Sequence, residues 1–295
     1  MGSIIRNSNI DWNSFIGKDL GTVTLIRELG RGVMGVVFVA YQKTLKRQVA
    51  VKVLAKKKIA NDLATDLFRD EGEIVAVLSH PNIIPIFEMG EVDDCYFQVM
   101  QFVDGIDLRT MLRRQLNHPL PSKRLLPQSE AIGMCIQIAD ALGYAHEEGI
   151  VHQDVKPANI LIENRLKRPM VADFGIARAF AGDYKSDGLI VGSPLYMSPE
   201  QAMGKVTDGR ADIYSLGVIL FELIVGQLPI RFEERSEKIL ERKKQDPETF
   251  FIAKPSAVLP SIGKNLERII MKSTAALAAQ RYFCCEEMID DLKSI

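Results

Sequence analysis

The sequence predicts an α+β protein, with strands gathered first and helices after. Three observations predict it. β-prone runs fill about the first hundred residues, and one helical pattern interrupts them. Past about residue 105 the helical patterns dominate. Near the middle stands a dense polar string, His152-Gln153-Asp154-Val155-Lys156-Pro157-Ala158-Asn159, followed by two short apolar runs and then Asp173-Phe174-Gly175.

The elements follow in order. Residues 1–19 are polar with scattered apolar positions and predict no element. From Val23 the chain turns strand-like, and Leu29 to Val39 spells G-x-G-x-x-G-x-V between two β-prone runs. Gly30, Gly32 and Gly35 let a hairpin backbone approach phosphates and aim N–H groups at them. A dinucleotide-binding loop needs a helix after its last glycine, whereas strand residues follow here. Gln48 to Leu54 reads as a strand, and Lys52 inside it needs an anion to offset its desolvation. Thr65 to Leu78 reads as a helix carrying Glu71 and Glu73, and His80-Pro81 ends it. Ile83–Met89 and Cys95–Gln101 are the next strands, and Met100 to Gly105 leaves the second of them. Asn117–Pro127, with three prolines, reads as an exposed loop, and Ser129–Glu148 as a helix stopped by Gly149. Ile160-Leu161-Ile162 reads as a short buried strand. A helix containing Asp212 runs on through Val218 to Val225, apolar nearly all round, hence core. Ser236–Ile295 reads as helices with loops at Pro247 and Pro255–Gly263.

The polar string carries chemistry. Asp154 can accept a proton, Lys156 can hold a phosphate oxygen, and Asn159 offers a carbonyl to a hard cation. Pro157 fixes the backbone between them. Asp173 is a second carboxylate placed for metal.

On these motifs the chain resembles the eukaryotic-like protein kinases, and within them the bacterial Ser/Thr branch, from about Val23 to Leu292. The resemblance implies a bilobal protein-kinase fold. Residues 1–22 would be an N-terminal extension and 23–293 the kinase domain, with an N-lobe over 23–100, a hinge over 101–105 and a C-lobe over 106–293. The N-lobe would be a five-stranded antiparallel sheet with one helix. ATP would sit between the lobes with Mg2+, or Mn2+ as an alternative. Asp154 and Lys156 would be catalytic, and Asn159 and Asp173 would hold the metal. Leu29, Gly30, Gly32, Gly35, Val37, Ala50, Lys52, Glu71, Met100, Gln101, Val103 and Leu161 would form the ATP site, with Glu71 clamping Lys52. Ser193 would hydrogen-bond the catalytic aspartate and lysine, Glu200 would pair with Arg281, and Asp212 would brace the catalytic-loop backbone. Lys156, two residues after the aspartate, points to Ser/Thr rather than Tyr as acceptor.

One departure matters. Gln153 stands where the family usually has an arginine that pairs with a phosphate on the activation segment, so activity is expected without that phosphorylation. Tyr184, Ser186 and Ser193 remain modification candidates. Ala278-Ala279 stand where many relatives have Asp-Pro, which changes little.

Bulk properties bound the reading. The 295 residues are 47% hydrophobic and 25% charged with a formal net charge of −1, which argues for a soluble globular protein and against nucleic acid as partner. No apolar run approaches the ~20 residues of a membrane span. The four cysteines show no CxxC spacing, so reduced thiols in a cytoplasmic protein are expected. The kinase pattern runs almost to the end of the sequence, so a domain of a longer sensor is expected. Protein substrates with Ser/Thr are the expected partners, autophosphorylation included; oligomeric state is left open. Two rivals are a small-molecule phosphotransferase, disfavoured by Ser198-Pro199-Glu200, Asp212 and Arg281, and a non-catalytic scaffold, disfavoured because no catalytic position is lost.

Overall fold

The computed structural model describes residues 11–32, 35–56, 77–92, 95–174, 194–228, 230 and 236–295. The chain divides into two compact units, Met1–Asn61 with Pro85–Val103, and Asp62–Ile84 with Asp104–Ile295.

The first unit is a six-stranded antiparallel sheet in the order β1-β2-β3-β4-β6-β5: β1 Asp19–Leu20, β2 Val23–Arg31, β3 Gly35–Gln42, β4 Arg47–Ala55, β5 Ile86–Val92 and β6 Cys95–Gln101. The expectation of five strands is corrected. The sixth is β1, two residues long and below any detectable alternation, paired to β2 through Leu20 and Val23. Its neighbourhood is not polar filler either. Trp12 and Leu20 are buried in the core of this sheet, and Phe15 packs against it. Alternation sorts the faces. Phe38, Val49, Val51, Val53, Phe97 and Val99 point into that core. The strand foreseen from Ile83 begins instead at Ile86, because Pro85 cannot donate to a ladder. Ile83 and Ile84 serve the other unit, where Ile84 N–H donates to Val171 O at 2.9 Å.

The second unit holds a three-stranded sheet, β7 Gly105–Asp107, β8 Ile160–Glu163 and β9 Pro169–Val171. Its α-helices among the described residues are α1 Leu108–Leu116, α2 Gln128–Glu147, α3 Pro199–Ala202, α4 Arg210–Val225, α5 Ser236–Gln245, α6 Pro255–Val258, α7 Lys264–Ser273 and α8 Cys285–Lys293. Helix α1 starts because Asp107 caps the Thr110 amide at 2.9 Å. Helix α2 ends where Gly149 takes a φ of +76°. Helix α4 is buried all along its length except at Arg210 and Glu222, so it is the axis of this unit. A side chain at Gly217 would strike Ser273 Cβ at 2.5 Å, which is how closely α4 and α7 approach. Helix α6 lies inside a stretch expected to be loop, too short to show a period. The helix foreseen over 65–78 falls outside the described residues apart from Val77 and Leu78, and Leu78 is buried.

Candidate active site

The polar string sits between α2 and β8, and β8 pairs antiparallel with β9. Asn159 immediately precedes β8 and Ala172 immediately follows β9, so the hairpin places both at one end. Ala172 N–H donates to Asn159 O at 2.8 Å and seals it. Asp173 is therefore delivered next to Asn159 by strand register alone.

Around Asp154 the contacts are short. Lys156 Nζ donates to Asp154 Oδ2 at 2.5 Å. Asn159 Nδ2 donates to the same oxygen at 3.0 Å and to Asp154 O at 2.9 Å. Those bonds use the amide's N–H side, so its carbonyl oxygen is what Asn159 can offer a cation. His152 ties Asp154 to the segment that follows β9. The imidazole is fully buried. Its Nε2–H donates to Ala172 O at 3.0 Å, while Nδ1 accepts the Asp154 amide at 3.2 Å. These two bonds define the Nε2–H tautomer. Its ring lies 4.5 Å from that of Phe174, itself buried.

Two non-glycine residues here adopt the left-handed region, Gln153 at φ +63° and Asp173 at φ +59°. Each conformation costs energy and persists only where surroundings enforce it. For Gln153 the enforcement is visible. Asp212, fully buried on α4, accepts the amide of His152 through Oδ2 and that of Gln153 through Oδ1, both at 2.8 Å. His146 Nε2 also meets Asp212 Oδ2 at 2.8 Å. Gln201 Nε2 donates to Gln153 O at 2.7 Å, and Gln153 Nε2 donates to Thr207 Oγ1 at 3.2 Å.

Glu200 and Arg281 form a two-pronged pair at 2.6 and 2.8 Å. Burial works against Glu200's charge, but the Arg281 hydrogen bond and charge prevail and hold its carboxyl below the usual range. Tyr196 Oη donates to Glu222 at 2.6 Å. Burial raises both groups, and the Glu222 charge pushes the phenol further.

In the first unit, Val37 faces Lys52, Val39 faces Ala50, and Ala50 faces Met100 across neighbouring strands. Cross-strand partners share a face. Val37, Ala50, Lys52 and Met100 therefore line the face opposite the sheet's core. Gln101, opposite Val49, closes β6, and Val103 is buried just beyond it. A Cβ at Gly35 would meet Val53 O at 2.2 Å, so only glycine allows β3 so near β4. Among the described residues, nothing comes within 4 Å of a Cβ at Gly30, and only Gly35 O, at 3.9 Å, does so at Gly32. Leu29 is exposed. Leu161 belongs to the second unit, opposite Asp107. Glu71, Ser193, Tyr184 and Ser186 lie outside the described residues.

The residues from 23 to 288 match the family model described as the protein kinase domain. The chain belongs to the protein kinase domain family. Serine/threonine-protein kinase PrkC of Bacillus subtilis (strain 168) is 37% identical over 95% of this chain and 41% of its own length. Serine/threonine-protein kinase PknB of Mycobacterium tuberculosis (strain ATCC 25618 / H37Rv) is 36% identical over 90% of this chain and 41% of its own. The chain thus spans about two fifths of the length of these curated relatives. A crystal structure of the Mycobacterium tuberculosis PknI kinase domain superposes with a TM-score of 0.74 at 29% identity, covering 95% of this chain and 98% of that one. The kinase fold, an antiparallel sheet unit and a helical unit, is that of this chain.

Sequence reasoning missed His146, Gln201, Tyr196, Glu222 and Lys243. Gln201 had a signal: Ser198 and Gln201 sit at capping-box spacing, and both of the box's hydrogen bonds are present.

Proposed function

We propose that this chain is an ATP- and Mg2+-dependent serine/threonine protein kinase, transferring the γ-phosphoryl group of ATP to Ser/Thr hydroxyls of proteins, its own included. The observation that carries the reading is Asp154, held by Lys156 and Asn159 within one turn and tied through His152 to the residue preceding Asp173. The names of the bacterial relatives support the choice of Ser/Thr.

Asp154 accepts the hydroxyl proton as the oxygen attacks the γ-phosphorus and the bond to ADP breaks. Lys156 counters charge on the moving phosphoryl group. The Asn159 carbonyl and the Asp173 carboxylate are hard oxygen donors that fit Mg2+, with Mn2+ an alternative. The bound metal supplies charge neutralisation on phosphate oxygens. Lys52 with Glu71 grips the remaining phosphates. Val37, Ala50, Met100 and Leu161 give adenine apolar contact, while Gln101 and Val103 offer it backbone groups. Among the described residues no side chain crowds the Cβ positions of Gly30 and Gly32, which suits phosphate beside the backbone.

No helix among the described residues is long and apolar enough to cross a membrane. Dependence on ATP and the reduced thiols of Cys135, Cys284 and Cys285 support a cytoplasmic setting for this domain. The test is incubation with γ-labelled ATP and a mixed protein substrate, followed by phosphoamino-acid analysis. Phosphoserine and phosphothreonine, abolished by chelating the metal, are expected; exclusive phosphotyrosine, or no transfer, would refute the reading.

A further inference from the structure

Helix α5 is rich in charged residues, yet Lys243 on it has 0% exposure. Ile239, one turn earlier, is its buried neighbour. The Lys243 ammonium donates to Leu195 O at 2.7 Å and to Met197 O at 2.5 Å. It sits 4.1 Å from the centre of the Phe250 ring and 5.0 Å from that of Tyr214. Burial first, then the charge of Arg281, pulls its pKa well down; Glu200 opposes this and Arg242 adds to it. Glu200 is already committed to Arg281. Carbonyl dipoles and ring faces therefore hold the cation, and only a fixed backbone supplies those carbonyls.

The intervening carbonyl is held as well. Tyr196 O accepts the Ser215 hydroxyl at 2.7 Å, and its side chain turns to Glu222. Three successive carbonyls are thus pinned to α4 and α5, while Leu195, Tyr196 and Met197 each keep part of their surface exposed. This stretch leads into Gln201, which holds the carbonyl of Gln153 beside Asp154. A protein chain presenting its hydroxyl to Asp154 has this pinned stretch as neighbouring backbone.

We propose that Lys243 is a positioning residue for the protein substrate, its ammonium fixing the Leu195–Met197 backbone against which the substrate chain docks. The inference rests on the kinase reading above and deepens it.

The test compares the wild-type protein with Lys243→Met, which keeps the buried stem and loses the donors. The substrate is a Ser/Thr peptide chosen by screening an arrayed library with the wild type. The KM for peptide is expected to rise about tenfold or more, as loss of charged hydrogen bonds implies, with the KM for ATP moving less than twofold. Lys243→Gln, which retains an amide donor, is expected to fall between. A wild-type peptide KM in either folded variant, or equal loss for peptide and ATP, would overturn the proposal. If the wild type transfers no phosphate to any peptide, the kinase reading itself fails.

Discussion

Glu200 and Arg281 stand 81 positions apart and meet through both guanidinium nitrogens, at 2.6 and 2.8 Å. The remaining Arg281 donors reach Ala275 O, Arg210 O and Ala276 O, so all five N–H groups are used. The arginine side chain is wholly buried. Arg281→Ala leaves a half-buried carboxylate and three carbonyls without their donor. A loss of about 3–5 kcal/mol in urea unfolding is expected, and Arg281→Lys recovers only part of it.

The same pair sets a pH dependence. The folded-state pKa of Glu200 lies below its unfolded value. Its contribution is therefore complete above the unfolded pKa and disappears as pH falls through the folded one. Glu200→Gln is expected to flatten the acid limb of the stability profile, read as melting temperature against pH. An acid limb as steep as the wild type's would count against it.

Asp212→Asn keeps one carbonyl oxygen and leaves one buried amide, of His152 or Gln153, without an acceptor. The cost is about 1–3 kcal/mol. Catalysis should suffer more than stability, since the positive φ of Gln153 loses its anchor next to Asp154. Paired measurements of kcat and melting temperature check this.

Gln153 carries no charge, and among the described residues its side-chain amide donates to the Thr207 hydroxyl. Protein dephosphorylated before assay is expected to keep its activity within about twofold. Loss of activity on phosphatase treatment would show that a modified residue is required.

Gly217→Ala drives a methyl group toward Ser273 and Thr274 where α4 meets α7. Overpacking of about 1–3 kcal/mol is expected, enough to outweigh the gain in helix propensity. Thermal denaturation measures it.

Much of the fold was legible because it follows from periodicity: the alternation of β3 and β4, the nearly all-apolar second half of α4, and the glycine after α2. Asp154, Lys156 and Asn159 were legible because they lie within one turn, and Asp212 and Glu200 with Arg281 through family resemblance. Strand β1 was not, since two residues carry no period. Lys243 was not, since a lysine among charged residues looks solvated until distant carbonyls surround it. The link through His152 was hidden for a similar reason: its two partners are backbone atoms, which sequence does not display.

The central claim is that Asp154 is the proton acceptor in phosphoryl transfer. Transfer of label from γ-labelled ATP to protein, measured for wild type and Asp154→Asn at matched folded concentration, tests it most directly. A fall in kcat of about 10²–10⁴ is predicted for the variant, with nucleotide binding retained. Near-normal turnover in Asp154→Asn would contradict the account.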